Sequence, residues 1–350
     1  MRNEQIYVVR IGGGERLTRL LQTALEGTAS QSISIDALGQ GLRDAAILFA
    51  VGVDALGVSE EFLRLLRLLR QNNGCLRGSI AGIVVDGESE LYSKSAAQEL
   101  ALAANMAGCT FLGKSLVEGT GSLYNQHILA QRMNRSWEDT YFLRAKELVQ
   151  RLLTHQPKKF DAPKLLMLHA SDHRLSNTVW LGRELVRRLP ESFAAQEISL
   201  QNGTIQDCRG CSYAACLHYA ENNTCFYGGT IPEEVLPAIR SCDALLLLCP
   251  NYNDSVSANM MALFNRMTNL LVQQELLDKY LFSVVVSGYS GSDLVARQLL
   301  GTLCFNKTVT LPGNFCMLET AHDPGAAQQL QGIGDRLDAF AAHMVDILQK

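Results

Sequence analysis

The chain has 350 residues, of which 47% are hydrophobic and 19% charged, with a net charge of −4. That length and apolar content support about two domains with cores of their own and argue against disorder, and the acidic balance excludes the basic footprint of a nucleic-acid-binding protein. The longest apolar run, Ala45 to Val53, falls well short of the roughly 20 residues that a membrane helix needs. The opening MRNEQIYVVR lacks the apolar stretch of a secretory signal, so the expectation is a soluble cytoplasmic protein that makes no membrane contact.

In chain order, QIYVVRIGGGERLTRLL (Gln5 to Leu21) reads as a strand, a glycine turn and an amphipathic helix. DAAILFAV from Asp44 and AGIVVDGES from Ala81 are short apolar runs that fit strands buried on both faces. Ser136 to Leu153 reads as a helix capped by Ser136, with Glu138 and Asp139 at its positive end. HQPKKFDAP breaks it and reads as a linker. The pattern then repeats. KLLMLHASDHRLSNTVW from Lys164 matches the first segment, DALLLLCP from Asp243 the second, and FSVVVSGYS from Phe282 the third. In this register Arg67 falls opposite Arg266, and Gly332 to Gln349 closes the chain as another helix.

Alternating apolar strands and helices predict an α/β fold of two doubly wound domains, each a parallel sheet covered on both faces. The expected division is a first domain over 1–130, a helix and linker over 131–163, and a second domain over 164–350. Gly12 matches Ser171, whereas Asp44 matches Asp243 at a wider spacing, so the second copy carries an insertion at about 203–230. Four of the ten cysteines lie in it.

In doubly wound sheets ligands bind beyond the carboxyl ends of the strands. Three loops of the second copy lie there. The first holds Ser171, His173, Arg174, Ser176, Asn177 and Thr178 at a helix start, where free backbone amides suit a phosphate; the bland alternative is a simple N-cap by Ser176 or Asn177. The second, Pro250-Asn251-Tyr252-Asn253, offers an aromatic ring and amides suited to a planar heteroaromatic ligand, or is only a polar turn. The third, Ser287-Gly288-Tyr289, permits close backbone approach. Together, at equivalent strand ends, they are far more telling than any one alone.

The second copy resembles the NADPH-dependent FMN reductase family of flavodoxin-like proteins, including its iron–sulfur flavoprotein branch. The family's G-S-P-R-x-x-S-N-T loop is met from Ala170 to Thr178 with Ser171, Ser176, Asn177 and Thr178 retained, while Ala170, Asp172 and His173 depart from it. Its P-x-Y-x-x-x-x-S-A loop is met by Pro250, Tyr252, Ser257 and Ala258. The resemblance implies five-stranded sheets of order 2-1-3-4-5 and bound FMN, its phosphate on the first loop and its ring between the second and third. It also implies NAD(P)H as co-substrate and a small-molecule electron acceptor. Backbone amides of Asn251 to Asn253 and Ser287 to Tyr289 are then expected to face charge that develops on the ring. The first copy keeps the strands but has Leu17, Thr18 and Arg19 in place of Ser176, Asn177 and Thr178. It is expected to be a degenerate copy without FMN, forming an intramolecular pseudo-dimer in a family whose members are commonly dimers. A homodimer of the whole chain stays open as well.

Cys208, Cys211, Cys216 and Cys225 leave three readings open: a [4Fe–4S] cluster, a zinc site, or ordinary reduced thiols. The related iron–sulfur branch has a more compact spacing. Tyr213, Tyr219, Phe226 and Tyr227 make the insertion aromatic, either to cover the flavin ring or to anchor the loop. The resulting expectation is an FMN-dependent NAD(P)H oxidoreductase; the alternative is a non-catalytic electron carrier or scaffold.

Overall fold

The computed structural model describes residues 4–171, 175–201, 205–222 and 224–350. Two compact units emerge, Met1–Pro157 with Leu311–Asn314, and Lys158–Thr310 with Phe315–Lys350.

The first unit holds strands β1 (Ile6–Ile11), β2 (Ser30–Ser32), β3 (Ala46–Val53), β4 (Ile80–Gly87) and β5 (Thr110–Gly119). They pair in parallel in the order β2-β1-β3-β4-β5. β4 is buried along its whole length and β3 at every residue except Gly52, which is why both read as continuous apolar runs rather than alternating ones. Helices Glu15–Ala24 and Trp137–Thr154 pack side by side over one face, with Leu17, Leu20, Tyr141, Leu148 and Leu152 against Ile6, Val8 and Leu48. The helix read from Ser136 is capped by that serine, whose Oγ accepts from the amide of Asp139. It belongs to this core, where the Tyr141 hydroxyl donates to Val85 O at 2.8 Å.

The second unit holds β6 (Lys164–His169), β7 (Ala194–Ser199), β8 (Ala244–Pro250), β9 (Tyr280–Ser287) and β10 (Cys316–Thr320). All pair in parallel in the order β7-β6-β8-β9-β10. Both sheets therefore have the order 2-1-3-4-5, and the protein is an α/β chain of two tandem flavodoxin-like domains. Helices Asn177–Val186 and Ile333–Leu348 cover one face of the second sheet, joining Leu185, Leu337, Phe340 and Met344 to Met167, Leu248 and Phe282. Arg336 clamps Glu319 of β10 through Nε at 2.7 Å and a terminal nitrogen at 2.8 Å, fixing the last helix to the sheet.

The two copies correspond in detail. After β3, Asp54 and Gly57 exchange backbone hydrogen bonds; after β8, Tyr252 and Ser255 do the same. Ser59 and Ser257 then cap the following helices through their hydroxyls. This register sets Arg67 opposite Asn265, one residue before the Arg266 expected from the apolar runs. The two arginines differ accordingly: Arg67 is exposed and Arg266 buried. The extra chain of the second copy runs from Leu200 to Asp243, where the first has only Ile33 to Ala45.

Gly182 seats its helix directly on β8, since a Cβ there would lie 2.5 Å from Leu248 Cδ1 and 3.1 Å from Met167 Sδ. Alanine favours a helix over glycine by about 1 kcal/mol, but overpacking a core costs about 1–3 kcal/mol. Gly182→Ala is therefore expected to lower the urea unfolding midpoint. A raised midpoint would show that this seat is loose.

Candidate functional site

The parallel sheet brings every strand of the second unit to an end at the same edge. There a crevice of about 480 Å³ opens, within the range of about 300–1,000 Å³ typical of small-molecule sites. Ser171, Ser176, Asn177, Thr178, Pro250, Asn251, Tyr252 and Gly288 line it, so three loops far apart in sequence meet at one place. His173 and Arg174 lie outside the described residues. Asn253, Ser287 and Tyr289 are adjacent but do not line the crevice. Asn253 sits in the turn at φ 50°, Ser287 is buried beneath Asn251, and Tyr289 is 77% exposed.

The first wall is the start of helix Asn177–Val186. A helix leaves its first amides without internal partners. Here Ser176 Oγ accepts from the Val179 amide and Ser176 O from the Trp180 amide, so among the described residues the amides of Asn177 and Thr178 have no partner and suit an anion. The side chain of Asn177 is committed elsewhere. Its Nδ2 donates to Ala321 O and Asp323 O at 3.2 and 2.9 Å, and its Oδ1 accepts from the Ala327 amide. It ties this helix to the loop after β10, leaving its backbone to meet the ligand.

The second wall is the loop after β8. Asn251 Nδ2 donates to Asp254 Oδ1, Ser287 Oγ and Ser290 O. Its Oδ1 is buried with no partner, an acceptor waiting for an N–H group. The amides of Asn251 and Tyr252, expected to face the ligand, are instead spent on Val286 O, which continues the β8–β9 ladder, and on Ser255 O, which closes the tight turn. The Tyr252 ring is 47% exposed at the rim.

The third wall was not foreseen. Ala321, His322 and Pro324, after β10, line the crevice. His322 stacks on Tyr289 with centroids 4.5 Å apart and contacts its hydroxyl through Nε2 at 3.1 Å. A Cβ at Gly288 would lie 3.0 Å from His322 Nδ1, so a larger residue there would push the imidazole back by a few tenths of an ångström. The strand-end rule, applied to the fifth strand, would have pointed to these residues.

Residues 163–323 match the family model described as NADPH-dependent FMN reductase. This segment belongs to that family. No curated protein matches the chain. Among similar solved structures is an NAD(P)H:quinone oxidoreductase from Methanothermobacter marburgensis, 13% identical over 52% of this chain and 99% of that one, with TM-score 0.40. Another is an FMN-dependent NADH-azoreductase from Bacillus anthracis in complex with FMN, 11% identical over 52% and 99%, with TM-score 0.37.

The insertion of the reductase segment forms a pocket of its own, of about 240 Å³, lined by Cys208, Cys211, Cys216 and Cys225 with Tyr219, Phe226 and Tyr227. Arg266 donates to Gly228 O and Asn269 to Thr224 O, anchoring the insertion on the region where helix Ala258–Arg266 ends. That helix begins beside the crevice, and its nine residues span about 13 Å. None of the four aromatic residues of the insertion lines the crevice; all four line the thiol pocket, which favours the loop-anchoring alternative. Among the described residues no group of three or more His, Cys, Asp or Glu could hold a metal ion, so neither a [4Fe–4S] nor a zinc site is formed by the four cysteines as placed. The four thiols nevertheless surround one pocket, with Cys216 carried on helix Tyr213–Glu221 and the other three on the chain before and after it. Burial and the neighbouring thiols raise the Cys216 pKa.

In the first unit the matching strand ends are bound together. Arg16, in the first turn of helix Glu15–Ala24, donates to Asp86 Oδ1 at 2.7 Å, Gly87 O at 2.8 Å, Thr120 O at 3.0 Å and Gly121 O at 3.1 Å. Burial pushes Asp86 up and Arg16 pulls it back down. Gly52, at the end of β3, lies so near Gly13 that an added Cβ would be 2.2 Å from its backbone.

Asn177→Asp removes both Nδ2 donors and sets a carboxylate against two carbonyls. The loss of buried hydrogen bonds is expected to cost about 1–3 kcal/mol, and the added charge to weaken FMN retention. Thermal unfolding with and without FMN checks both effects; an unchanged melting temperature would contradict the tie to the β10 loop.

Proposed function

We propose that the protein is an FMN-dependent NAD(P)H oxidoreductase that reduces a small-molecule acceptor from the second unit alone. The observation that carries this is the convergence, in one crevice, of two uncommitted helix-start amides with a buried, partnerless amide oxygen. The first fits a phosphate dianion; the second fits an N–H group, and isoalloxazine has one. Membership of residues 163–323 in the FMN reductase family supports the same ligand.

Bound FMN supplies reversible two-electron chemistry at its ring. The residues supply position and polarity. Asn177 and Thr178 hold the phosphate through their amides. Asn251 accepts from the ring edge while its Nδ2 keeps the loop rigid. Flipping that amide would face its oxygen to the Ser290 carbonyl and the Asp254 carboxylate, so its orientation is fixed by three acceptors. Tyr252 offers a partly exposed aromatic face at the rim. The thiol pocket takes no part in this reading.

The first unit is inferred to be a copy that has lost the site. Four hydrogen bonds from Arg16 hold its β4 and β5 ends against the helix that would otherwise open toward a ligand, and the Gly13–Gly52 approach brings its first and third strand ends together.

Purified protein titrated with FMN is therefore expected to bind one equivalent per chain, and Arg16→Ala to leave that number unchanged. Two equivalents would contradict loss of the first site. The FMN-loaded protein is expected to oxidise NADH or NADPH in the presence of a quinone. Loaded protein that never turns over would favour the carrier alternative.

A further inference from the structure

His169 ends β6, two residues before Ser171, and is only 5% exposed. Its Nδ1 accepts from the Ser171 amide at 3.3 Å. Its Nε2 lies 3.1 Å from Glu197 Oε1 of β7. An amide can only donate, so Nδ1 carries no proton, and Nε2–H donates to the carboxylate. Glu197 is fixed in turn by Arg183, from Nε at 3.1 Å and a terminal nitrogen at 2.7 Å. This pairing holds Glu197 below the usual carboxylate range. Arg183, Glu197, His169 and Ser171 thus form one chain of donors and acceptors from the covering helix, across the edge strand, to the first residue of the loop that lines the crevice.

We propose that His169 is a positioning residue for the cofactor, a proton-sensitive clasp that holds the loop from Ser171 in its binding form. The proposal rests on the reading that this loop meets the FMN phosphate. Nothing in that reading requires a histidine at the end of β6: position 169 does not line the crevice of the three loops, and among the described residues its hydrogen bond to the loop is the one from the Ser171 amide. Protonation would place N–H groups on both ring nitrogens, and Nδ1–H would then face the Ser171 N–H, donor against donor. The clasp therefore holds while the imidazole is neutral and opens on acidification. Among the described residues the charged groups around the ring are Glu197 of β7 and, from helix Asn177–Val186 and the residue after it, Arg183 and Arg187, which share a cavity of about 430 Å³ with it; on the other side β6 pairs with Leu248 of β8, which carries no charge.

Two substitutions separate the two ends of the ring. In His169→Asn the amide oxygen takes the place of Nδ1 and keeps the bond to Ser171, without a titratable group. In His169→Gln the amide nitrogen takes the place of Nε2 and keeps the bond to Glu197, but the clasp on Ser171 is lost. FMN affinity, read from quenching of flavin fluorescence, is measured on the full chain between about pH 8 and about pH 5, the span in which histidine changes charge. One hydrogen bond corresponds to about a 3- to 10-fold change in affinity. At the alkaline end His169→Asn is expected to match the original protein and His169→Gln to bind about 3- to 10-fold more weakly. FMN's own phosphate also titrates near pH 6, so the signature is the difference between curves: the original protein is expected to fall below His169→Asn on acidification by that same factor.

Superimposed curves for the original protein and His169→Asn, or full affinity in His169→Gln, would overturn the clasp. Amide hydrogen exchange at Ser171 without FMN gives a readout that needs no cofactor. Protection is expected in the original protein and in His169→Asn and its loss in His169→Gln; equal exchange in all three overturns the clasp. If Ser171 behaves as expected but FMN binds at no pH, the assignment of the loop to FMN fails while the clasp stands.

Discussion

The site depends on two peptide groups that the fold cannot satisfy by itself. A helix that begins where β6 ends must leave its first N–H groups pointing out of the sheet's carboxyl edge. Ser176 takes two of the following amides, and those of Asn177 and Thr178 are left over. Because every strand of a parallel sheet ends at that edge, the loops after β8, β9 and β10 are delivered to the same place. The crevice follows from topology; its chemistry follows from which polar atoms the loops leave unspent. Asn251 spends its nitrogen three times over and its oxygen not at all.

The first unit shows what the same topology becomes when those groups are consumed. It has the same strand order, the same two-residue turn after its third strand and the same serine cap on the next helix. Arg16 fills the corresponding place with donors of its own and bonds to the ends of β4 and β5. A guanidinium fork suits that task because its donors are rigid and fan outward. On the proposed reading, fold and function part company within one chain, and binding resides in a few loop atoms rather than in the sheets.

Much of the fold was legible because its central strands are buried on both faces. DAAILFAV and DALLLLCP stand out as runs, and β-strand burial makes them so. The edge strands β2 and β7 carry no such signal, since exposed SQS and AAQEIS look like any polar stretch. Of the site, the residues in the three loops were legible from strand ends and from the family's motif. Their division of labour was not. The side chain of Asn177 is claimed by the loop after β10, a partner far away in sequence. Arg16 was invisible for the same reason, since it acquires its role only through groups brought near by folding, whereas His322 follows the fifth strand and lay within reach of the strand-end rule. The cysteine spacing left a metal centre and ordinary thiols both open, and the fold gathers all four thiols around one pocket.

The central claim is that a mononucleotide lies in the second unit, its charged end on the helix after Ser176 and its ring toward the loop of Asn251 and Tyr252. Hydrogen–deuterium exchange of the full chain, compared with and without saturating FMN, tests it most directly. The account predicts slowed exchange in peptides covering 176–178, 251–254 and 321–324, with no change over 12–16 or 208–227. Protection confined to the first unit's glycine loop or to the thiol pocket, with the crevice peptides unaltered, would contradict it.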